Sequence, residues 1–436
     1  MTGNEQEPDS VLSLSRKYLL VIFVTTVVVR IVCMVILRSW NFYDHWSFGW
    51  EIGKIGQSLA LGHGISVENI VENIPHPLAK FPPVYPLLVG GVFAVFGVYS
   101  TASAIVLFLL QSVFSAFTAT FLAILGSHFF GRKEGLIAGF VWAFYPSSIL
   151  YSVKFVWYSE LAVMLVLLII IVASTLRSSS LLSRIACLGA LSGLIVLTDS
   201  TMAIYPALLF VWMMYARKLT LKKWIFNGVI WFVAFGVIVS PWAIRNWLVM
   251  ENPGILKSNF GLELFFGNNP YSTGGGINKE RRMAEDALDQ MELNHYRQQS
   301  EYVYYGYLQK KALAWIRTHP ARFLQLSAKR AWFFWGKFPS SGPGPWKRHT
   351  WMQLAWYVPV ALLALCSMSY FTGRRLDLIP IWLFLLLYPL PFYFTHVQLY
   401  RYRYPVEPFL VLLAAIPLAG LLTRFWGRLT KRHTVE

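Results

Sequence analysis

Arg16-Lys-Tyr-Leu-Leu-Val-Ile-Phe-Val-Thr-Thr-Val-Val-Val-Arg-Ile-Val-Cys-Met-Val-Ile-Leu37 governs how the rest of the chain is read. From Tyr18 to Leu37 the run is apolar for about 20 residues, enough to cross a hydrocarbon core roughly 30 Å thick. No small-residue cleavage site closes it, so it reads as an uncleaved span. The basic pair Arg16-Lys17 in front places the N-terminus in the cytoplasm by the positive-inside rule. Residues 38–83, polar and rich in Gly and Pro, then lie outside.

The remainder alternates in the same way. Apolar segments fall near 84–98, 103–127, 134–151, 156–176, 185–215 and 225–244, a long polar stretch covers 245–350, and further apolar segments lie near 351–371, 378–394 and 407–423. A basic tail from Arg424 to Arg432 follows. This pattern predicts an all-α polytopic membrane protein, a bundle of about 10–12 transmembrane helices with two external loops bearing amphipathic helices. The expected divisions are a cytoplasmic tail over 1–17, a membrane domain over 18–423 with external loops 38–83 and 245–350, and a cytoplasmic tail over 424–436. The expected location is the cell (inner) membrane, with both termini cytoplasmic.

Composition agrees. The 436 residues are 56% hydrophobic and 14% charged, with mean hydropathy +0.50, whereas soluble chains are roughly a quarter charged. The 18 Trp, 22 Tyr and 32 Phe suit membrane–water interfaces. A net charge of +17 raises the question of nucleic acid, but the basic residues sit at the ends of apolar runs. Orientation signals and phospholipid contacts belong there, so membrane lipids and no nucleic acid are the expected partners. Cys33, Cys187 and Cys366 lie far apart inside apolar runs, which argues against disulfides or a thiolate metal site. One conflict stands in the charge pattern. The loops Gly131-Arg132-Lys133, Arg177–Arg184 and Arg217–Lys223 are all basic and all belong in the cytoplasm, which six ordinary crossings between the long loops cannot achieve. Either 84–98 is re-entrant and 185–215 crosses twice, or the charge rule fails locally.

Four water-facing stretches carry the candidate chemistry. In the first loop Asp44 stands a few residues beyond the first span, and Phe48, Ile52, Ile55 and Leu59 recur at helical spacing. That stripe predicts a short helix lying in the membrane surface, with Glu51 two turns from Asp44 on one side if the helix begins there. As plain structure, Asp44 caps the helix and Glu51 is solvated. Lys80-Phe-Pro-Pro-Val-Tyr-Pro86 fixes where the chain re-enters the membrane, and Lys80 there either snorkels to headgroups or holds a phosphate. Ser240-Pro-Trp-Ala-Ile-Arg245-Asn246 ends a span and leads to Ser258-Asn-Phe-Gly-Leu-Glu-Leu-Phe-Phe-Gly-Asn-Asn-Pro270. Arg245 stands at lipid-phosphate depth, where a snorkelling arginine is an equal account. The long loop carries 15 Lys/Arg against 8 Asp/Glu, which suits an anionic partner or a solvated surface. The fourth stretch, Thr395-His396-Val-Gln-Leu-Tyr-Arg401-Tyr-Arg403-Tyr-Pro-Val-Glu407, packs ionisable groups tightly between apolar segments. Such groups near hydrocarbon are paired or functional. Arginine forks bind phosphate oxygens bidentately, with Glu407 placed to orient one of them.

Together these stretches resemble the GT-C superfamily of membrane glycosyltransferases, in the branch of the protein O-mannosyltransferases and the aminoarabinose transferase of lipid A. The likeness covers nearly the whole chain and lies in the order and spacing of its motifs. Where that family often shows an adjacent Asp-Glu pair, this chain has Asp44-His45, and its next acid is Glu51. The resemblance implies inverting transfer of a sugar from a polyprenyl-phosphate carrier to an acceptor at the external face. Asp44 would act as general base, with Glu51 in the second acidic role. Lys80, Arg245, His396, Arg401, Arg403 and Glu407 would hold or orient the leaving lipid phosphate. No cofactor or metal is required by that scheme, and no clustered His/Asp/Cys spacing supplies one. Protein, lipid and polysaccharide are all open as acceptor. Two other classes compete. An O-antigen ligase or polymerase shares arginine-rich loops and carrier lipids but needs no acid after the first span. A transporter or flippase of lipid-linked anions calls for mid-span ionisable groups and repeats, for which Asp199 is the single candidate between 84 and 242.

Overall fold

The computed structural model describes residues 14–41, 48–68, 75–174, 181–252, 254–275, 278–336, 345–370, 377–395 and 400–433. Helices dominate. The first span is α1 (Arg16–Ile36), and beyond it come α2 (Glu51–Ala60), a two-stranded antiparallel hairpin of β1 (Ser66–Glu68) and β2 (Pro75–Pro77), and α3 (Val84–Phe96). The stripe expected to lie in the membrane surface is covered by protein instead. Phe48, Ile52 and Ile55 are fully buried, and a Cβ at Gly56 would press on Val89 and one at Gly90 on Leu59, so α2 and α3 pack closely. The helix also starts at Glu51 rather than near Asp44, which lies in 42–47, outside the described residues.

The bundle proper begins with α4 (Thr101–Phe129), capped by Ser100, whose Oγ accepts from the Ser103 N–H at 3.0 Å. Its Ser112, Thr118 and Thr120 hydroxyls donate to carbonyls four residues back, which satisfies them inside an apolar helix. After a tight turn come α5 (Arg132–Phe144) and α6 (Pro146–Lys154), bent 48° at Pro146. A Cβ at Gly126 would stand 2.7 Å from the Gly135 Cα, the close small-residue approach that membrane helices use. Then follow α7 (Ser159–Ser174), α8 (Leu181–Val196), a 3-10 turn at Ser200–Met202, α9 (Ile204–Ala216) and the long α10 (Leu221–Met250). The second long loop folds into α11 (Phe260–Gly267), α12 (Asn278–Asp286), α13 (Gln290–Arg297), α14 (Glu301–Thr318) and α15 (Pro320–Trp335), with a small apolar core around Leu264, Leu293 and Leu308. The chain returns through α16 (Pro345–Cys366), α17 (Ile379–Leu387), α18 (Leu390–Phe394) and α19 (Glu407–His433).

Contacts between helix ends set the relative direction of several helices. Arg132 lies over the Tyr18 ring, so the start of α5 joins the N-terminal end of α1, while Lys154 donates to the Leu37 carbonyl at the other end. Gly189 faces Trp231 and Gly193 faces Ile238, so α8 and α10 run parallel, and Asn227 near the start of α10 meets Met214 near the end of α9. These contacts orient α1, α5–α6, α8, α9 and α10 by their ends. Among the described helices, α1, α4, α10 and the stretch Tyr404–Trp426, which runs from a 3-10 turn into α19, are each long and apolar enough to cross a membrane alone, and α5–α6 qualifies as a bent pair. The charge conflict dissolves. α3 stays beside α2 on one face, 185–215 crosses twice as α8 and α9, and the described ends of all three basic loops lie on the other face.

One buried polar hub holds the centre. Arg30 is fully buried, and its guanidinium donates to the Ala143 carbonyl (3.0 Å), the Trp142 carbonyl (3.4 Å) and the hydroxyls of Ser115 and Ser148 (2.8 Å each). The Pro146 break frees carbonyls of the last turn of α5, and Arg30 takes them up. Glu160, also buried, accepts from Ser152 at 3.0 Å and from the Tyr404 hydroxyl, which ties α6, α7 and the entry to α19 together.

Candidate active site

The two long loops and the 400–404 turn meet on the face reached by the C-terminal end of α1. Lys80 lies there, just ahead of the prolines that start α3, and its ammonium contacts Glu51 Oε1 at 2.7 Å with both groups partly open to solvent. Backbone places it. The Ala79 N–H donates to Glu301 Oε2 at 2.7 Å, Ser258 Oγ donates to the same oxygen at 2.8 Å, and the Ser258 N–H returns to the Ala79 carbonyl. Burial pushes the Glu301 carboxyl above the ordinary glutamate range, against the pull of those donors and of Lys80.

Beside this group, residues 155–158 form an irregular link between α6 and α7. Trp157 and Tyr158 project from it, half-buried. The Arg401 guanidinium lies 4.3 Å from the centre of the Trp157 ring, and the Phe81 ring meets Trp157 edge-on at 6.0 Å. Lys257 sits 3.1 Å from Asp199 Oδ1 and 3.3 Å from the Tyr158 hydroxyl. Burial works against the Lys257 charge, but Asp199 outweighs it and holds the ammonium above the ordinary lysine value. Asp199 also caps the turn after α8, accepting from the Thr201 N–H and hydroxyl. It therefore stands at the end of a span rather than in the middle of one, the position in which a transporter would need it.

The other expected arginines are committed to the fold. Arg245 donates to the carbonyls of Leu78 (3.0 Å) and Ile65 (2.6 Å) and to Asn246 Oδ1 (2.9 Å), so it staples the end of α10 to the first loop. Arg403 is buried, with Nε 3.3 Å from Glu407 Oε1, Nη1 on the Gly336 carbonyl and the Tyr357 ring 3.4 Å from its guanidinium carbon. Asp44 and His396 both lie outside the described residues. Residues on either side of the 42–47 segment do touch the α6–α7 region. Leu37 accepts from Lys154, and Gly49, at φ +81°, approaches the Val156 carbonyl too closely for any side chain. Among the described residues no three His, Cys, Asp or Glu side chains gather as a metal site would require.

No family model matches the sequence, and no curated protein does. Solved structures do match. ArnT from Cupriavidus metallidurans, bound to undecaprenyl phosphate, aligns with a TM-score of 0.56 at 13% identity, over 95% of this chain and 62% of its own. The archaeal oligosaccharyltransferase AglB from Archaeoglobus fulgidus, in complex with an inhibitory peptide and a dolichol-phosphate, aligns with a TM-score of 0.55 at 15% identity, over 95% of this chain and 52% of its own. An Archaeoglobus fulgidus oligosaccharyltransferase tethered to an acceptor peptide gives 0.53 at 16% identity, over 94% and 50%. The fold is GT-C. At these identities the likeness is one of architecture, and the chain spans 62% of the length of ArnT and about half that of the oligosaccharyltransferases.

Within the GT-C fold, the residues that sequence reasoning selected separate into two sets. Glu51, Lys80 and Arg401 gather on one face, while Arg245, Arg403 and Glu407 bind the framework around them. Trp157, Tyr158, Lys257 and Glu301 were not selected. Lys257 stands directly before the Ser258–Pro270 motif, so its neighbours were the available signal. Glu301 is one of 8 acids in its loop, with nothing local to mark it.

Proposed function

We propose that this GT-C chain is a membrane glycosyltransferase that moves a sugar from a polyprenyl-phosphate carrier to an acceptor hydroxyl with inversion. The observation that carries this reading is a mostly apolar cavity with an arginine in its wall, on the face where the loop cations lie. Beside the end of the first loop a cavity of about 590 Å³ is walled by Ile65, Val84, Leu197, Ile238 and Trp242, with Arg245 also in its lining, while Lys80 and Arg401 lie on the same loop face outside it. A carrier with an anionic head and a hydrocarbon tail suits both halves of that arrangement. The neighbours lend support, since ArnT was captured with undecaprenyl phosphate and AglB with a dolichol-phosphate.

In this reading Asp44 accepts the proton of the acceptor hydroxyl as its oxygen attacks the anomeric carbon. The bond to the lipid phosphate breaks, and the phosphate leaves as an anion held by Lys80, Arg401 and His396. Glu51 keeps Lys80 in place. Arg245, Arg403 and Glu407 fix the loops that carry these groups. The three basic loops face the cytoplasm and the site faces outward.

The test compares membrane glycoconjugates by mass spectrometry from cells with and without the gene. One sugar-bearing species should vanish on deletion and return with the parent gene but not with Asp44→Asn. An unchanged glycoconjugate profile, together with no binding of undecaprenyl phosphate by the purified protein, would overturn the reading.

A further inference from the structure

The link between α6 and α7 is held far more firmly than a loop needs for its own sake. Gln111, on α4 and fully buried, points its amide into that link. Its Nε2 donates to the carbonyls of Ser152 (3.0 Å), Phe155 (2.9 Å) and Tyr151 (3.3 Å). Its Oε1 accepts the Trp157 N–H at 3.0 Å and the Tyr85 hydroxyl at 2.5 Å. One side chain thus satisfies peptide groups that the break in the helix releases, the condition for irregular backbone at membrane depth. Both sides of the Gln111 amide are used, so its orientation is fixed.

What this anchoring holds in place is the Trp157 ring. Phe81 meets it edge-on, Tyr158 packs beside it at 5.0 Å, and the Arg401 guanidinium covers a face at 4.3 Å. The Arg401 Nε meets no hydrogen-bond acceptor among the described residues. Arg245 and Arg403 also lie against rings, Trp242 at 5.0 Å and Tyr357 at 3.4 Å, but carbonyls and a carboxylate fix their N–H groups as well. A guanidinium laid on a ring face is held in a fixed plane, here between Trp157 and, at 5.4 Å, the Tyr402 ring.

We infer that Trp157, anchored through Gln111, is a positioning residue that orients Arg401 for the carrier phosphate. This rests on the reading of Arg401 as a phosphate-holding group. The alternative is that Trp157 merely fills space in the bundle.

Binding of undecaprenyl phosphate to the purified full chain in nanodiscs separates the two. Trp157→Leu should weaken binding roughly threefold to thirtyfold, the weight of a cation–π contact, and Trp157→Phe should recover most of it. In an Arg401→Ala background, Trp157→Leu should cost nothing further, because the ring acts through the guanidinium. A space-filling role predicts an equal loss in both backgrounds, and that result overturns the inference, as does parental binding by Trp157→Leu. If Trp157→Leu does not purify, the same cycle is run with Trp157→Phe, where a smaller loss confined to the Arg401 background supports the inference and none overturns it. Parental binding by Arg401→Ala would overturn the phosphate assignment itself, whereas a loss in Arg401→Ala with none in the Trp157 variants overturns the inference alone.

Discussion

Gly49 packs its α-carbon against the main-chain carbonyl of Val156, so the first loop and the α6–α7 link touch backbone to backbone. Its φ of +81° is also one that side-chain-bearing residues rarely adopt. Gly49→Ala meets both obstacles at once. It should lower stability by about 1–3 kcal/mol and shift the loop that carries Asp44. Thermal melting of the detergent-purified variant checks the first effect, and transfer per folded molecule checks the second.

Removal of the proposed base should reduce chemistry and leave the fold alone. Asp44→Asn is expected to cut transfer by roughly 10²–10⁴-fold, the usual weight of general base catalysis, with undecaprenyl phosphate binding retained. A helix-cap role would instead cost about 1 kcal/mol of stability and leave turnover intact. Transfer measured per folded molecule tells them apart.

Arg401 and Arg403, two residues apart, should fail in different ways. Arg401→Ala should weaken carrier binding by roughly 1.5–3 kcal/mol, the scale of a charged hydrogen bond, at near-parental melting temperature. Arg403→Ala leaves Glu407 buried without its counter-charge and should cost about 3–5 kcal/mol of stability. Melting and binding curves recorded on both variants decide this.

Glu301 makes stability depend on pH with a definite sign. Burial raises its folded-state pKa above the unfolded value, so the folded chain holds the proton more tightly. Its contribution is therefore fully present below the unfolded pKa and is lost as pH rises through the raised folded value. Glu301→Gln carries no titrating proton and should flatten that part of the profile. The check is the difference in melting temperature between parent and variant across the acidic range.

Topology yields a labelling pattern. Cysteines placed at exposed His63 and Met291 should react with an impermeant maleimide in intact cells, above the parent background, while cysteines at exposed Lys133 and Thr220 should not. Reaction at all four, or at only one of the first pair, would contradict a shared external site.

The architecture was legible because hydropathy and length are local properties. Tyr18–Leu37 declares a span without reference to any other residue. The charge rule likewise demanded that 131–133, 177–184 and 217–223 share a side, and the described ends of these loops do so, with α3 kept short. The stripe Phe48, Ile52, Ile55 and Leu59 was legible as a helix face, but its covering was not, since α3 is as apolar as a bilayer. The site was harder still. Lys80 and Arg401 show in sequence as charges between apolar runs, and so do Arg245 and Arg403. Only the carbonyls around the latter pair, supplied by residues distant in the chain, mark them as staples of the fold. Glu301 and Lys257 gain their meaning from partners 222 and 58 residues away, which no local pattern encodes.

Arg30 gives the chain a schedule for its own synthesis. A lone arginine inside the first span is unfavourable in lipid, by roughly 2.5–3.5 kcal/mol on insertion scales. Its first hydroxyl partner on another helix, Ser115, emerges 85 residues later, and Ser152 emerges 122 residues later. Until α6 has been made, the first span carries a cation with no complete set of acceptors. It is therefore expected to stay beside the insertion machinery or close to water, and to settle only when the Pro146 break arrives to receive it. Biogenesis of this bundle is thus a capture event, in which the first helix threaded is among the last to be locked.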